Sequence, residues 1–201
     1  DADPYFQTAG AKSIGPRLQA VAKSVAWLLR PSTGGVEGGA QTFTITHGDF
    51  KQANMFFRVE ASTDDATPEV AVIDWQWTGA GVAATDVFFL CAMALSDETV
   101  ENYGPEVLKV YHAELTAALG GNEDAYPYEQ LEREFKLAGL DFMRWITGAR
   151  FVGFTPAKMK AANETVDINR GMWIRSMPRM VWLWQRTEEF LDSADALLSH
   201  M

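Results

Sequence analysis

The sequence is poor in cysteine and in positive charge. Of its 201 residues only Cys91 is a cysteine, so no disulfide can form within the chain. Seventeen basic against 27 acidic residues give a formal net charge of −10, and the basic residues form no cluster. Because binding to a phosphate backbone requires a positive surface, this charge disfavours a nucleic-acid partner. A neutral or cationic small molecule is the better match to such a field.

Long apolar runs are also missing. The longest strongly apolar stretch covers residues 87–95, far short of the roughly 20 residues that a membrane-spanning helix needs. No signal-peptide pattern opens the chain. We therefore expect a protein without a membrane span, located in the cytoplasm, in which Cys91 is a buried small hydrophobic residue.

Glycine is present, but its spacing excludes the common phosphate-binding loops. Gly34, Gly35, Gly38 and Gly39 follow an amphipathic helix that we predict over residues 12–30. They show neither Gly-x-Gly-x-x-Gly spacing nor a following Lys-Ser/Thr pair. We interpret the segment as a flexible linker.

Short strands are predicted on either side of the next segment. β-branched and apolar residues favour strands over residues 42–46, 55–60 and 69–73. The polar residues 61–68 favour a hairpin turn rather than a calcium loop, because the Gly and the distant Glu of such a loop are missing. Helical spacing then predicts helices over residues 105–119, 128–151 and 178–198, and Thr85 or Asp86 is expected to cap another over residues 87–95. The predicted class is α+β, mainly α.

The most informative segment reads His-Gly-Asp-Phe-Lys-Gln-Ala-Asn at residues 47–54, and Val-Ile-Asp-Trp follows at residues 72–75. Asp49 comes directly after a predicted strand and can take a proton from a hydroxyl nucleophile. Asn54 and Asp74 offer the hard oxygen ligands that Mg²⁺ prefers, and the hairpin would bring them together. Lys51 is placed to neutralise charge on a transferring phosphoryl group.

Each of these residues has a simpler interpretation when taken alone. Asp and Asn are common turn residues at strand ends, and Lys51 can be a surface lysine. For His47 we favour an imidazole that hydrogen-bonds the backbone over acid–base chemistry. The ordered combination nevertheless indicates phosphoryl transfer. A metal-dependent phosphohydrolase is disfavoured, because a second metal-binding cluster is missing.

This stretch resembles the aminoglycoside phosphotransferase and choline kinase superfamily, including its ecdysteroid-kinase-like branch. The matching residues are 46–57 and 72–76, then Gly79, Gly81 and Asp86 before the apolar residues 87–90. The resemblance implies the helix-rich C-terminal lobe of a protein-kinase-like fold, with ATP and Mg²⁺ as cofactors and a small-molecule alcohol as acceptor. It implies Asp49 as catalytic base, Asn54 and Asp74 as magnesium ligands, and Asp86 as a structural brace.

One departure concerns the nucleotide lobe. Kinases of this group carry an N-terminal lobe of roughly 100 residues, with a strand lysine and a glycine-rich loop. Here only 46 residues precede His47, and Lys12 and Lys23 both lie on the predicted helix. We therefore expect an isolated catalytic lobe that is a poor catalyst by itself, with its N-terminal lobe supplied by the same gene or by another chain. The alternative is a kinase-derived, non-catalytic binding or assembly module.

The predicted lobe has three parts. Residues 1–41 form a leading helix and glycine-rich loop, residues 42–77 the catalytic loop and metal-binding hairpin, and residues 85–201 a helical subdomain. The resemblance implies that the acceptor lies against the last of these. An aromatic box for a cation is one interpretation of its aromatic residues, although packing in the core is favoured. They are Tyr126, Tyr128, Trp145, Trp173, Trp182 and Trp184. Glu132, Glu134 and Asp141 are predicted to form a solvated helix face.

Overall fold

Helices dominate the part of the chain that the computed structural model describes, which is residues 3–30, 43–58, 68–150, 155–164 and 176–194. Two short antiparallel sheets accompany them. The predicted class, α+β and mainly α, is confirmed. The described residues form six α-helices: α1 (Ala9–Leu28), α2 (Ala83–Met93), α3 (Asp97–Ala118), α4 (Tyr128–Trp145), α5 (Pro156–Asn163) and α6 (Met177–Asp192). None of these helices is long and apolar enough to cross a membrane.

Helix α1 begins three residues before its predicted start. The side chain of Thr8 caps it by accepting a hydrogen bond from the backbone N–H of Ala11 at 3.1 Å. Its apolar stripe, including Ile14, Leu18 and Val25, is buried against α4 and α6. The predicted glycine-rich linker lies almost entirely outside the described residues.

Helix α2 lacks the predicted side-chain cap. It begins at Ala83, and its N-cap residue, Val82, has no side-chain hydrogen bond to offer. The prediction that Thr85 or Asp86 caps this helix is therefore wrong. Asp86 lies inside the first turn, where its carboxylate is free to bind another segment. Cys91 is buried in the helix as predicted, and burial raises the pKa of its thiol to about 12.

Helix α3 also begins earlier than predicted, at Asp97 rather than Pro105. The hydroxyl of Ser96 accepts from the backbone N–H of Thr99 at 3.1 Å, and this cap sets the start of the helix. Its end agrees with the prediction. The helix stops at Ala118, and Gly120 and Gly121 follow with φ values of 76° and 80°.

Helix α4 ends at Trp145 and passes into a π-helical turn, Ile146–Arg150; the predicted last residue, Phe151, lies outside the described residues. The solvated face predicted on this helix is wrong for Glu134, whose side chain accepts hydrogen bonds from the hydroxyl of Tyr126 and, at 2.9 Å, from the amide of Gln130. Only 3% of Glu134 is exposed. Burial and this carboxylate raise the pKa of Tyr126 above its ordinary range.

Aromatic rings fill the space between α2, α4 and α6. The ring of Phe88 has its centroid 5.0 Å from Phe135, 5.6 Å from Phe142, 6.1 Å from Trp182 and 6.4 Å from Phe190. Such offset and edge-on contacts stabilise a core beyond the area they bury. The favoured interpretation of the helical aromatic residues, packing in the core, is confirmed for Trp182.

A buried arginine ties α6 to the end of α2. The side chain of Arg179 is fully buried. It donates to the backbone carbonyls of Cys91 and Leu95, the latter at 2.9 Å, and pairs with Asp97 at 3.1 Å. Burial lowers the pKa of its guanidinium, while Asp97 acts in the opposite direction. Because the carbonyl of Cys91, in the last turn of α2, has no partner within its own helix, Arg179 satisfies it from outside, together with the carbonyl of Leu95 just after the helix.

The strands form two separate pairs. Strand β1 (Thr44–Thr46) is antiparallel to β4 (Gly79–Gly81), and β2 (Met55–Arg58) is antiparallel to β3 (Glu69–Val72), with Met55 opposite Val72. The predicted hairpin strands are thus confirmed, whereas the predicted turn over residues 61–68 lies outside the described residues except for Pro68. Strand β4 was not predicted, since Gly-Ala-Gly has little preference for strands and is extended here only because it pairs with β1.

Candidate functional site

A sharp bend follows β1 and opens the segment that the sequence marks as functional. Gly48 takes a φ of 80°, in the left-handed region that favours glycine. A Cβ atom at this position would lie 2.5 Å from the backbone oxygen of Trp77 and 2.9 Å from its Cβ. The loop therefore needs a glycine here both for its conformation and for its packing against the turn Trp75–Trp77.

Asp86 holds this bend in place. The backbone N–H of His47 donates to its Oδ2 at 2.6 Å, and that of Gly48 donates to its Oδ1 at 3.0 Å. Hydrogen bonds to a charged acceptor are among the stronger ones in proteins. The structure thus gives Asp86 the bracing contacts that the resemblance implied.

His47 connects the loop to the hairpin. Its Nε2 donates to the backbone oxygen of Ile73 at 2.8 Å, and its Nδ1 accepts from the backbone N–H of Asp49 at 3.2 Å. These partners fix the tautomer that carries its proton on Nε2. With 2% exposure and both ring nitrogens engaged, His47 has the backbone-anchoring role that we favoured from the sequence.

Asp49, Lys51 and Asn54 come together immediately after the bend. The ammonium of Lys51 lies 2.6 Å from Oδ2 of Asp49. The amide nitrogen of Asn54 donates to the same oxygen at 3.2 Å and to the backbone oxygen of Asp49 at 2.9 Å. Because Nδ2 of Asn54 faces Asp49, its Oδ1 points away from that carboxylate. A ligand that binds Oδ1 of Asn54 requires this orientation.

Asp74 lies beside Asn54 along the backbone. The N–H of Ile73 donates to the backbone oxygen of Asn54 at 3.0 Å, which places the residue after Ile73 next to the end of the loop at residues 47–54. Asp74 itself has φ 65° and ψ 56°, a left-handed conformation that Asp tolerates better than most residues. Its side chain is exposed, and Gln76 donates to its Oδ2 at 3.4 Å.

The donor set of Asn54 and Asp74 fits Mg²⁺ chemically. A carboxylate and an amide oxygen are hard ligands, and phosphate oxygens and water commonly complete such a shell. The described residues contain no group of three or more His, Cys, Asp or Glu side chains arranged to hold a metal ion. A magnesium ion at this position would therefore depend on oxygen atoms from a bound nucleotide.

A cleft of about 540 Å³ lies in front of Asp49. Part of its lining comes from the loop at residues 47–54, with Asp49 and Lys51, and from the turn Trp75–Trp77, with Gln76 and Trp77. The other part comes from helices. Its described residues are Leu29, Thr85, Phe89, Ala138, Asp141, Phe142 and Trp145. Asn54 and Asp74 are not among the described lining residues of this cleft.

The predicted acceptor residues divide into two groups. Trp145 lines the cleft, whereas Tyr126 is buried beside Glu134 and Tyr128 packs against the ring of His112. Trp184 packs at the edge of the core, and Trp173 lies outside the described residues.

Asp141 is on the cleft wall and pairs with Arg144 at 2.8 Å. The predicted solvated face on α4 is confirmed for Glu132, which is half exposed. Asp141 has a second position that was not predicted, because it also lines the cleft.

Several cleft residues were not found from the sequence. Gln76 and Trp77 directly follow the Ile-Asp-Trp segment, and that position was a usable signal. Phe89 and Phe142 gave none, because both stand in apolar helical patterns that are indistinguishable from core positions. Only the packing of α2 on α4 turns their rings to the cleft.

Comparison with known proteins identifies the family. Residues 38–144, more than half of the chain, match the model of the family DUF1679, which is described as "Uncharacterized oxidoreductase dhs-27". This chain belongs to the DUF1679 family. The DUF1679 match includes the loop at residues 47–54, Asp74, Asp86 and the part of α4 that carries Asp141. No curated protein and no solved structure matches the chain significantly.

Proposed function

We propose that the chain is the C-terminal catalytic lobe of an ATP- and Mg²⁺-dependent small-molecule kinase that phosphorylates an alcohol. One observation carries the proposal. The carboxylate of Asp49 faces a cleft while Lys51, at 2.6 Å, and Asn54, at 3.2 Å, hold one of its oxygens. DUF1679 is commonly related to ecdysteroid kinase-like proteins, and this relationship supports the resemblance to the aminoglycoside phosphotransferase and choline kinase superfamily.

Asp49 is the catalytic base in this proposal. Its carboxylate accepts the proton of the acceptor hydroxyl as the hydroxyl oxygen bonds to the γ-phosphorus of ATP, and the bond from that phosphorus to the bridging oxygen breaks to release ADP. Asn54 and Asp74 would hold Mg²⁺, which when bound neutralises charge on the phosphate oxygens. The contact of Lys51 with the transferred phosphate stays a prediction, since in the structure its ammonium binds Asp49.

The cleft favours a neutral or cationic acceptor. Its described lining carries two carboxylates, Asp49 and Asp141, and one cation, Lys51. Asp49 pairs with Lys51, and Asp141 pairs with Arg144, which is not a described lining residue. Trp77 and Trp145 both line the cleft. Aromatic faces attract alkylammonium groups by about 0.5–2 kcal/mol each. Hydroxylated amines are therefore the first acceptors to test, and sterols are the neutral comparison.

The test is ADP release by the intact protein with ATP, Mg²⁺ and a panel of hydroxylated amines and sterols. We expect Asp49→Asn to lower kcat by roughly 10²–10⁴-fold while leaving the affinity for ATP nearly unchanged. Asp124→Asn, in an exposed turn away from the cleft, is the matched control and should not alter kcat. An Asp49→Asn variant with normal kcat would remove the assigned base, and an intact protein that phosphorylates none of the panel would remove the proposed function.

A kinase-derived binding or assembly module is the second candidate. The side chains of Phe56, Phe57, Val70 and Trp77 are each more than half exposed, on the hairpin and the turn after it. Phe57 and Val70 are partners across the two strands and share one face of the hairpin, whereas Phe56 lies on the other face. Large exposed apolar patches often mark interaction surfaces. Calorimetric titration of the intact protein with Mg·ATP separates the candidates, because a non-catalytic module that has lost its nucleotide site gives no binding heat.

The word oxidoreductase in the family description receives no support from the described residues. Both sheets are antiparallel, whereas dinucleotide-binding folds use parallel strands joined by helices. The one Gly-x-Gly-x-x-Ala spacing, from Gly79 to Ala84, begins in the antiparallel strand β4 and not in a turn after a parallel strand, as the dinucleotide fingerprint requires. We therefore prefer phosphoryl transfer, and an assay of NADH consumption with the same panel provides the direct comparison.

A further inference from the structure

The two oxygens of the Asp49 carboxylate have different surroundings. Oδ2 lies 2.6 Å from the ammonium of Lys51 and accepts from the amide of Asn54 at 3.2 Å. Oδ1 accepts no hydrogen bond from any described residue, although Asp49 lines the cleft. One oxygen is thus held by two side chains, whereas the described residues supply no donor to the other.

The backbone makes this pairing rigid. The N–H of Lys51 donates to the backbone oxygen of Asp49 at 2.9 Å, and the N–H of Asn54 donates to the backbone oxygen of Lys51 at 2.9 Å. Both side chains of the ion pair are largely buried, with 22% of Lys51 and 16% of Asp49 exposed. Away from bulk water a charge-assisted hydrogen bond is short and strongly oriented. The pair therefore fixes the rotation of the carboxylate.

We propose that Lys51 is a positioning residue that acts on the reaction through Asp49, presenting Oδ1 of that carboxylate to the acceptor hydroxyl. The inference rests on the proposed kinase function and extends it. It separates Lys51 from the nucleotide, so that the effect of removing Lys51 falls on turnover and not on binding of ATP. Misplacement of a reacting group by about 1 Å can cost on the order of 100-fold in rate.

The experiment uses Lys51→Met and Lys51→Arg in the intact protein, with the panel acceptor that gives the highest turnover. Lys51→Met should lower kcat by roughly 10- to 100-fold, while the dissociation constant of Mg·ATP, measured by calorimetry, stays within about 2-fold. Lys51→Arg keeps a charged donor for Oδ2 and should recover most of the lost kcat. In an Asp49→Asn background, adding Lys51→Met should lower kcat by less than about 3-fold, because the carboxylate that Lys51 positions is already gone.

The outcomes distinguish this inference from the proposed kinase function on which it rests. A wild type that phosphorylates no panel acceptor removes both. A wild type that is active, with a Lys51→Met variant that binds Mg·ATP at least 10-fold more weakly at unchanged kcat, removes the inference and makes Lys51 a phosphate ligand. Equal losses in the wild-type and Asp49→Asn backgrounds also overturn it. Urea unfolding of each variant checks the fold, and Lys51→Gln replaces Lys51→Met if the latter does not fold.

Discussion

The carboxylate of Asp86, in the first turn of α2, accepts the backbone N–H of His47 at 2.6 Å, across 39 residues of sequence. A second bond at 3.0 Å comes from Gly48. A helix of the α-helical subdomain thereby sets the position of the loop that carries Asp49.

Replacement of Asp86 tests this brace. We expect Asp86→Ala to lower the free energy of unfolding by about 2–4 kcal/mol, because two backbone N–H groups lose a charged acceptor. Asp86→Asn keeps one acceptor oxygen and should lose about half as much. Urea unfolding monitored by circular dichroism gives both values. If Asp86→Ala were as stable as the wild type, the two hydrogen bonds would not anchor the loop.

Gly48 can be tested against a glycine of the neighbouring strand. Gly48→Ala should destabilise the protein by about 1–3 kcal/mol, since it needs both a left-handed backbone and space that Trp77 occupies. Gly79→Ala is the control, because a Cβ there meets nothing within 4 Å. Its unfolding free energy should change by no more than about 0.5 kcal/mol. Equal effects of the two substitutions would contradict the contact between the bend and Trp77.

Glu134 and Glu132 form a matched pair on α4. Glu134→Ala should cost about 2–3 kcal/mol of unfolding free energy, because the buried hydroxyl of Tyr126 and amide of Gln130 lose their acceptor. Glu132 is half exposed, and its ion pair with Lys136 is long, at 3.6 Å. Glu132→Ala should therefore change the unfolding free energy by no more than about 0.5 kcal/mol. Thermal unfolding of both variants compares them directly. If Glu134→Ala and Glu132→Ala had similar stabilities, Glu134 would belong to the solvated face of α4 and not to the core.

Cys91 provides a probe of the core. Its raised pKa, about 12, means that almost no thiolate forms at pH 8, and burial in α2 excludes reagents. We therefore expect no reaction of the folded protein with Ellman's reagent on a scale of hours, and one thiol per chain after addition of urea. Because the chain has a single cysteine, no other thiol can contribute. Rapid labelling of the folded protein would show that α2 opens readily.

Local patterns predicted the elements that depend on neighbouring residues. The spacing of Ile14, Leu18 and Val25 predicted α1, Gly120 and Gly121 predicted the end of α3, and the apolar residues around Phe56 predicted a strand. Where a prediction failed, another interaction outweighed the local signal on which the prediction rested. Pro105 resembled a helix start, but Ser96 provides the cap, and a proline is tolerated inside the longer helix because packing against other helices stabilises it.

The candidate residues Asp49, Lys51, Asn54 and Asp74 were found from the sequence because their types and order carry chemical information. Their roles stay predictions until activity is measured. The sequence did not show that Lys51 binds Asp49, nor that Asp141 faces the cleft, because both facts depend on side-chain direction. It also did not separate Phe89 and Phe142 from core residues of the same type.

What the sequence alone determined is the class of the fold and the extent of the longer apolar patterns, and it supplied the candidate residues that we propose for phosphoryl transfer. These follow from composition and periodicity, which act over a few residues. Tertiary structure decided that Asp86 braces His47, that Arg179 closes the end of α2 and that Glu134 is buried. These contacts join residues from 8 to 88 positions apart, and only the packing of helices against one another brings such groups within hydrogen-bonding distance.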